Sequence, residues 1–109
     1  MQIFKAGDIV RHFKYETLSE EERLESKYLY KIIGFAEDAE TGESVVVYQA
    51  LYPEGKSLIY KLYVRPYKDF ISEVDHEKYP NIRQKYRFEL IGIRELECER
   101  FGAYVQTKI

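Results

Sequence analysis

The strongest constraint on the fold of this chain is a pair of strand-like segments that flank a short, glycine-containing connection. The segments span residues 30–36 and 45–51, both are rich in β-branched and aromatic residues, and Gly42 lies between them. Glycine reaches positive φ without a steric cost, so such a connection predicts a β-hairpin. We expect the remaining strands to add to this hairpin and to form a small sheet.

Composition narrows the class of protein. A chain of 109 residues, of which 45% are hydrophobic, fits one compact domain, and we treat residues 1–109 as a single domain. Eleven tyrosines and six phenylalanines without a tryptophan favour strands, where a tyrosine ring packs while its hydroxyl meets water. The formal net charge of −2 argues against a whole-protein basic field for nucleic acid, and it leaves a local basic patch open.

The sequence shows neither a targeting pattern nor a membrane-spanning pattern. Residues 1–10 lack the apolar core of a signal peptide, and the longest apolar run, 45–48, is far shorter than the ~20 residues of a membrane-spanning helix. The single cysteine, Cys98, excludes an internal disulfide, as is typical of a reducing compartment. We therefore expect a soluble, cytoplasmic protein without a membrane partner.

The polar segment 15–27 has two interpretations. Ser19 followed by Glu22 has the form of a capping box, which predicts a short exposed helix. A helix this short is marginal in water, so we expect Leu24 to hold it by packing. The alternative is a solvated connecting loop.

The sequence on either side of the hairpin predicts further elements. A Gly-Asp turn at residues 7–8 precedes a short first strand. After the hairpin we expect a loop at 53–57 and a strand at 60–65 that Pro66 ends. A helical turn at 67–70 should then bring Phe70 into the core. We also expect a strand at 84–91, with Tyr86, Phe88 and Leu90 on its buried face, and a last strand within 99–109.

Several blocks, taken together, resemble the bacterial domain-of-unknown-function family numbered 1653. The blocks are Val10-Arg11-His12-Phe13-Lys14, the segment 30–36, Glu40-Thr41-Gly42-Glu43, the segment 47–52 and Val64-Arg65-Pro66. The resemblance covers residues 5–90. It implies an all-β protein, a small Src-homology-3-like barrel of five to seven strands, and it implies no activity and no cofactor.

The chain departs from the family pattern at four places. Residues 15–28 form an insertion, in which we expect the short helix, and residues 91–109 form a C-terminal extension. Tyr63 stands where the family has tryptophan, and Asp69 stands where methionine is common.

Arg11 and His12 form the first candidate site. A histidine beside an arginine is a poor general base, because the cation favours the neutral imidazole and lowers its pKa. We favour a structural pair that is bonded to neighbouring backbone. The alternative is a pair that hydrogen-bonds a phosphate or a carboxylate of a ligand.

Lys61, Tyr63 and Arg65 form the second candidate site, because they share one face of the predicted strand. Cations interleaved with aromatic rings suit single-stranded nucleic acid, and a solvated strand face has the same pattern. The Arg65 guanidinium suits a ligand carboxylate or phosphate, and we favour an internal salt bridge, for which Glu40 is one available carboxylate.

Catalysis and metal binding have little support in the sequence. Two histidines, His12 and His76, lie far apart, and with one cysteine they form no metal-ligand spacing. Cys98 lies between two glutamates, whose charges raise the pKa of its thiol and make it a weak nucleophile. Phosphate-binding loops, dinucleotide motifs and nucleophile elbows are absent from the sequence, so we expect no cofactor and no enzyme.

Three functions remain. The first is a non-catalytic binding module for nucleic acid or a protein partner, with its site near Arg11, Tyr63 and Arg65. The second is a small-molecule or enzymatic pocket lined by His12 and by two tyrosines, Tyr48 and Tyr52. The third is a structural subunit whose strand edges pair into a homodimer.

Overall fold

The computed structural model of this chain describes residues 3–52 and 60–91. Five antiparallel strands form one sheet: β1 (Ile9–His12), β2 (Leu29–Glu37), β3 (Ser44–Ala50), β4 (Leu62–Pro66) and β5 (Phe88–Leu90). A 3-10 helix (Phe13–Thr17) and α1 (Glu20–Leu24) lie between β1 and β2, and α2 (Tyr67–Phe70) follows β4. The predicted loop at 53–57, the predicted last strand within 99–109 and Cys98 lie outside the described residues.

The strands are arranged in the spatial order β4-β3-β2-β1-β5. The meander β2–β3–β4 follows the chain, and β5 returns to pair with β1. The all-β expectation is therefore confirmed, with a strand count inside the predicted range. Because β4 and β5 stand at opposite ends of the order, the sheet that the described strands form is open.

The β2–β3 connection is closed by hydrogen bonds among its own residues. The backbone N–H of Asp38 donates to the carbonyl of Glu43, and the N–H of Gly42 donates to the carbonyl of Asp38, both at 2.8 Å. The Asp38 carboxylate also accepts the N–H groups of Glu40 and Thr41. Gly42 has a φ of +74°, a conformation that glycine adopts without strain. The predicted hairpin is confirmed.

The core lies on one face of the sheet, which we call the inner face. Its largest fully buried side chains are Val10, Ile32, Val46, Phe70 and Phe88. The rings of Phe70 and Phe88 stack with their centroids 4.1 Å apart, and Phe4 meets Phe70 edge-on at 5.5 Å. Pro66 ends β4 as predicted, and the helical turn α2 then carries Phe70 into the core.

One extra residue in β2 keeps both halves of this strand on the inner face. The register with β3 shifts between Ile32 and Gly34, which leaves Ile33 as a β-bulge. The bulge moves the alternation by one position, so that Phe35 shares the inner face with Ile32. Phe35 there contacts the ring of Tyr67 in α2, at 6.1 Å between centroids.

The insertion contains the predicted helix, and its capping box is present. The backbone N–H of Glu22 donates to Ser19 Oγ at 3.3 Å, and the N–H of Ser19 donates to Glu22 Oε1 at 3.1 Å. The expected packing of Leu24 is wrong, because this side chain is 71% exposed. Arg23 supplies a tertiary contact instead, since its guanidinium lies 5.1 Å from the centre of the Tyr15 ring.

β4 has the predicted alternation. Tyr63 and Arg65 lie on the inner face and are half-buried, and Tyr63 stacks on Tyr48 at 5.6 Å between centroids. The residues that alternate with them, Leu62 and Val64, are 60% and 64% exposed. A solvated face is therefore excluded for Tyr63 and Arg65, and the apolar side of this strand is the one that faces outward.

The predicted strand at 84–91 is shorter in the structure, where β5 holds three residues. The Gln84 amide nitrogen donates to two backbone carbonyls at 2.9 Å, and the Glu89 carboxylate accepts two backbone N–H groups. These side-chain bonds compete with a regular ladder and turn the chain. Leu90 lies on the same face of β5 as Phe88. Its side chain is nevertheless 50% exposed, so its predicted burial is wrong.

We expect Phe70→Ala to lower the free energy of unfolding by about 3–5 kcal/mol, because it removes a fully buried ring and leaves a cavity. Urea denaturation measures this change. Leu62→Ala is the control, and its effect should stay within about 0.5 kcal/mol because the side chain is exposed. A cost for Phe70→Ala as small as that of the control would show that α2 does not close the core.

Candidate functional site

A cavity of about 1080 Å³ lies against the inner face of the sheet, and we call it the inner cavity. It is lined by His12, Lys14, Glu25, Lys27, Tyr28, Tyr30, Tyr48, Tyr52, Tyr63, Arg65 and Phe88. Five of the seven residues singled out in the sequence are among them, namely His12, Tyr48, Tyr52, Tyr63 and Arg65. The two predicted sites, a basic-aromatic stripe and a tyrosine-histidine pocket, therefore share one space.

Arg11 and Lys61 do not line the inner cavity. Arg11 Nε donates to Gln84 Oε1 at 3.3 Å, and the Arg11 guanidinium lies 5.2 Å from the centre of the Tyr15 ring. Lys61 is exposed and immediately precedes β4. The side chains of Arg11 and His12 thus separate, and only His12 reaches the cavity.

Tyr30 is the centre of the aromatic wall. Its ring makes edge contacts with Tyr48 at 5.2 Å, Tyr52 at 5.9 Å and Tyr63 at 6.1 Å between centroids. The hydroxyls of Tyr30 and Tyr52 lie 3.0 Å apart and share a hydrogen bond. Burial, together with this hydrogen bond, raises the pKa of Tyr30 far above its ordinary value, so its hydroxyl stays protonated and neutral.

Arg65 is held in place by two side chains. Its Nε donates to the Tyr48 hydroxyl at 3.2 Å, and its terminal nitrogen donates to Asp69 Oδ2 at 2.7 Å. The internal salt bridge that the sequence favours is present, with Asp69 as its partner. Asp69 also lies 3.6 Å from the guanidinium of Arg87. These contacts fix the direction in which Arg65 enters the cavity.

His12 enters the cavity as a neutral ring. The backbone N–H of Lys14 donates to His12 Nδ1 at 3.1 Å, which leaves the proton of the neutral ring on Nε2. Burial is the main cause that lowers the pKa of His12 to about 3, and the nearby charges of Arg65, Arg87 and Lys14 contribute to the same shift. The direction of this shift agrees with the sequence-based expectation, and the expected cause is wrong, because Arg11 is not among the causes.

The wall of the cavity carries more positive than negative charge. Three cations, Lys14, Lys27 and Arg65, line the cavity together with one carboxylate, Glu25. The whole chain has a formal net charge of −2. The cavity is therefore a local basic site in an acidic protein, and its charged groups and the Nε2–H of His12 are mostly hydrogen-bond donors.

Sequence reasoning missed six of the lining residues: Lys14, Glu25, Lys27, Tyr28, Tyr30 and Phe88. Phe88 lies on the predicted buried face of its strand, and Tyr30 begins the first strand of the predicted hairpin. Glu25, Lys27 and Tyr28 follow α1 in the insertion, where no periodic pattern marks a face. One backbone feature distinguishes this segment, because Ser26 and Tyr28 have φ values of 63° and 64°.

The described part of the chain contains neither a cluster of metal ligands nor a membrane-spanning helix. No group of three or more His, Cys, Asp or Glu side chains within 3–52 and 60–91 could hold a metal ion. Within the same ranges, no helix is long and apolar enough to cross a membrane.

Comparison with known proteins identifies the family. The model of the family described as "Protein of unknown function (DUF1653)" matches residues 8–90. The chain belongs to this family. The match confirms the resemblance inferred from the sequence, and every residue that lines the inner cavity of this DUF1653 chain lies within it. No curated protein and no solved structure matches the chain.

We expect acid to destabilise the protein through His12. Between pH 6.5 and about 3 the unfolded chain binds a proton on this residue and the folded chain does not, so stability falls as the pH falls through this window. One such group contributes a slope of about 1.4 kcal/mol per pH unit. Urea unfolding at several pH values from 6.5 to 4 measures it.

His12→Asn is the informative variant, because asparagine keeps an acceptor for the Lys14 N–H and takes up no proton. The free energy of unfolding of this variant should change less with pH than that of the wild type, and the two slopes should differ by about 1.4 kcal/mol per pH unit. His76→Asn removes the other histidine as a control and leaves the His12 contribution in place. Equal slopes for the wild type and His12→Asn would contradict the burial of a neutral His12.

Proposed function

We propose that this chain is a non-catalytic binding module whose inner cavity takes a nucleotide, either free or as one unit of a single-stranded nucleic acid. The observation that carries the proposal is the convergence of six aromatic rings and three cations on one cavity. A nucleotide has the matching parts, a flat base and an anionic phosphate.

The aromatic wall supports the base-binding part of the proposal. Tyr28 and Tyr63 are half-buried, so part of each ring is accessible, whereas Tyr30, Tyr48 and Tyr52 are buried and support them from behind. Stacking of a base on an accessible ring contributes about 1–3 kcal/mol per base and tolerates any base. The wall therefore suits a base without selecting its identity.

The cations support the phosphate-binding part. Arg65 is oriented by Tyr48 and Asp69 before any ligand arrives, so little of its side-chain entropy remains to be lost on binding. A planar guanidinium and two ammonium groups, those of Lys14 and Lys27, suit the oxygens of a phosphate.

The size and charge of the molecule favour a single nucleotide unit over a duplex. Small-molecule sites enclose roughly 300–1,000 Å³, and the inner cavity, at about 1080 Å³, is slightly larger than this range. A duplex presents many phosphates at once and is bound by an extended basic surface. The net charge of −2 offers no general attraction of that kind.

The chemistry of the site supports a non-catalytic role. His12 is a poor general base, because its Nδ1 accepts a backbone hydrogen bond and its pKa lies near 3. The raised pKa of Tyr30 likewise makes its hydroxyl a poor proton donor and a poor nucleophile.

Two finer expectations remain part of the proposal. A small Src-homology-3-like barrel is supported by the connections of the sheet, in which a meander is followed by a short helix and a last strand that pairs with the first. A cytoplasmic location is supported by the single cysteine of the chain.

Fluorescence anisotropy with labelled single-stranded DNA and RNA, at low and moderate salt, tests the function. We expect binding that weakens with salt and that unlabelled nucleoside monophosphate competes away, whereas a duplex of the same sequence binds less. Competition by the monophosphate indicates that a free nucleotide suffices, and competition only by oligonucleotides indicates that a strand is needed. Absence of binding by every probe at low salt would overturn the proposal.

A matched pair of lysine variants locates the site. Lys14→Ala removes a cation from the cavity and should weaken binding about 3- to 10-fold and reduce its salt dependence. Lys61→Ala removes an exposed cation outside the cavity and should leave the affinity unchanged. If Lys61→Ala weakens binding and Lys14→Ala does not, the site is instead the strand face of Lys61, Tyr63 and Arg65 that the sequence predicts.

Self-association is a second candidate, and the outer side of β4 favours it. Leu62 and Val64 are the most exposed apolar side chains of this strand, and β4 stands at one end of the described strand order. Light scattering over a range of concentrations should then show a dimer, and Leu62→Lys should return it to the monomer. A monomeric mass at every concentration would exclude this candidate.

A further inference from the structure

The turn at residues 25–28, which links α1 to β2, has an unusual backbone. Ser26 and Tyr28 both have positive φ, at 63° and 64°, and neither is glycine. Ser26 lies directly after the last residues of α1, where a left-handed residue commonly ends a helix. Tyr28 has no such explanation, and for a bulky side chain this conformation is strained.

The strained conformation of Tyr28 is held by neighbouring backbone. The N–H of His12 donates to the Tyr28 carbonyl at 2.9 Å, and the N–H of Leu29 donates to the Ser26 carbonyl at 3.1 Å. These bonds join the turn to β1 and to the start of β2, the two strands that border it. The turn is thus fixed to the sheet at the edge of the cavity.

The strain places two side chains at the cavity. The Tyr28 ring contacts Tyr52 at 6.4 Å and His12 at 5.7 Å between centroids, and the Lys27 ammonium lies 5.7 Å from the centre of the Tyr28 ring. Both Lys27 and Tyr28 line the inner cavity. A cation and a ring therefore stand side by side on the part of the wall that the insertion supplies.

Two similar pairs elsewhere show that the arrangement depends on more than sequence. Lys78 lies 5.5 Å from the Tyr79 ring, and Lys85 lies 5.4 Å from the Tyr86 ring. Neither pair lines the inner cavity, and neither has positive φ. Of these three pairs, the one at 27–28 combines a strained backbone with a position at the cavity.

We propose that the turn at 25–28 determines specificity for a phosphorylated ligand, with Lys27 pairing with the phosphate and Tyr28 contacting the base. This inference rests on the proposed function. The ion pair of Lys27 with Glu22 is 3.4 Å long and lies at the surface, where such pairs contribute little, so Lys27 can exchange Glu22 for a ligand phosphate. Lys27 then adds a third cation to Lys14 and Arg65, from a part of the wall that the insertion supplies together with the carboxylate of Glu25.

Calorimetric titration with a nucleoside monophosphate and with the matching nucleoside tests this inference. Lys27→Met keeps the apolar stem and removes the charge, and we expect it to weaken nucleotide binding about tenfold and to leave nucleoside binding unchanged. Tyr28→Leu should weaken both ligands. Lys78→Met is the matched control, because its lysine also contacts a neighbouring tyrosine ring, and it should change neither affinity.

The outcomes separate the inference from the proposed function. A wild-type protein that binds neither ligand overturns the function, and the inference with it. The inference alone is overturned when the wild-type protein binds the nucleotide and one of two results follows. Either Lys27→Met binds the nucleotide as tightly as Lys78→Met does, or Lys27→Met loses the same affinity for the nucleotide as for the nucleoside. If the Tyr28→Leu protein shows no thermal unfolding transition, the comparison of Lys27→Met with Lys78→Met still tests the inference. The Lys27→Met substitution leaves the backbone of the turn and the Tyr28 ring intact.

Discussion

The stacking of Phe70 on Phe88 is the contact on which the arrangement of this protein depends. These rings join α2 to β5, two elements that are distant in the sequence, with centroids 4.1 Å apart and planes within 6°. They cover one part of the inner face and exclude water from Val10, Ile32 and Val46. The inner cavity lies beside this pair, and Phe88 forms part of its wall. One aromatic pair therefore closes the core and also borders the cavity.

The same helical turn also prepares the cavity. α2 carries Phe70 into the core, and it carries the preceding residue, Asp69, to the guanidinium of Arg65 at the end of β4. A half-buried arginine without a partner would pay a large desolvation cost, and the salt bridge with the Tyr48 hydrogen bond offsets it. Core packing and the orientation of the Arg65 side chain are thus two consequences of one local structure, which follows from the stop that Pro66 imposes on β4.

The sequence could predict the features that depend on local chemistry. The Gly42 turn, the Ser19–Glu22 capping box and the end of β4 at Pro66 each need only a few neighbouring residues, and all three are present. Features that depend on what packs against a strand were less accessible. The alternation of side chains in β4 predicts two faces of the strand. It does not predict which face lies against the cavity, because a tyrosine and an arginine can both line one.

The turn at 25–28 was inaccessible for a different reason. Its role depends on a backbone conformation that its residues disfavour, so local preference predicts the opposite of what occurs. The buried Gln84 is similar, since its amide bonds replace part of a strand that the alternation of its neighbours favours. Prediction from sequence fails here where distant contacts override local preference.

The distribution of charge explains why a basic cavity can exist in an acidic chain. Lys14, Lys27 and Arg65 come from three different elements, and like charges gathered in one cavity repel one another. Arg65 and Lys27 each have a carboxylate partner, Asp69 and Glu22, and His12 stays neutral, so the repulsion is limited without being removed. An anion in the cavity would relieve what remains. Net charge averages this local field with the acidic surface of α1, and so it does not reveal the positive charges that line the cavity.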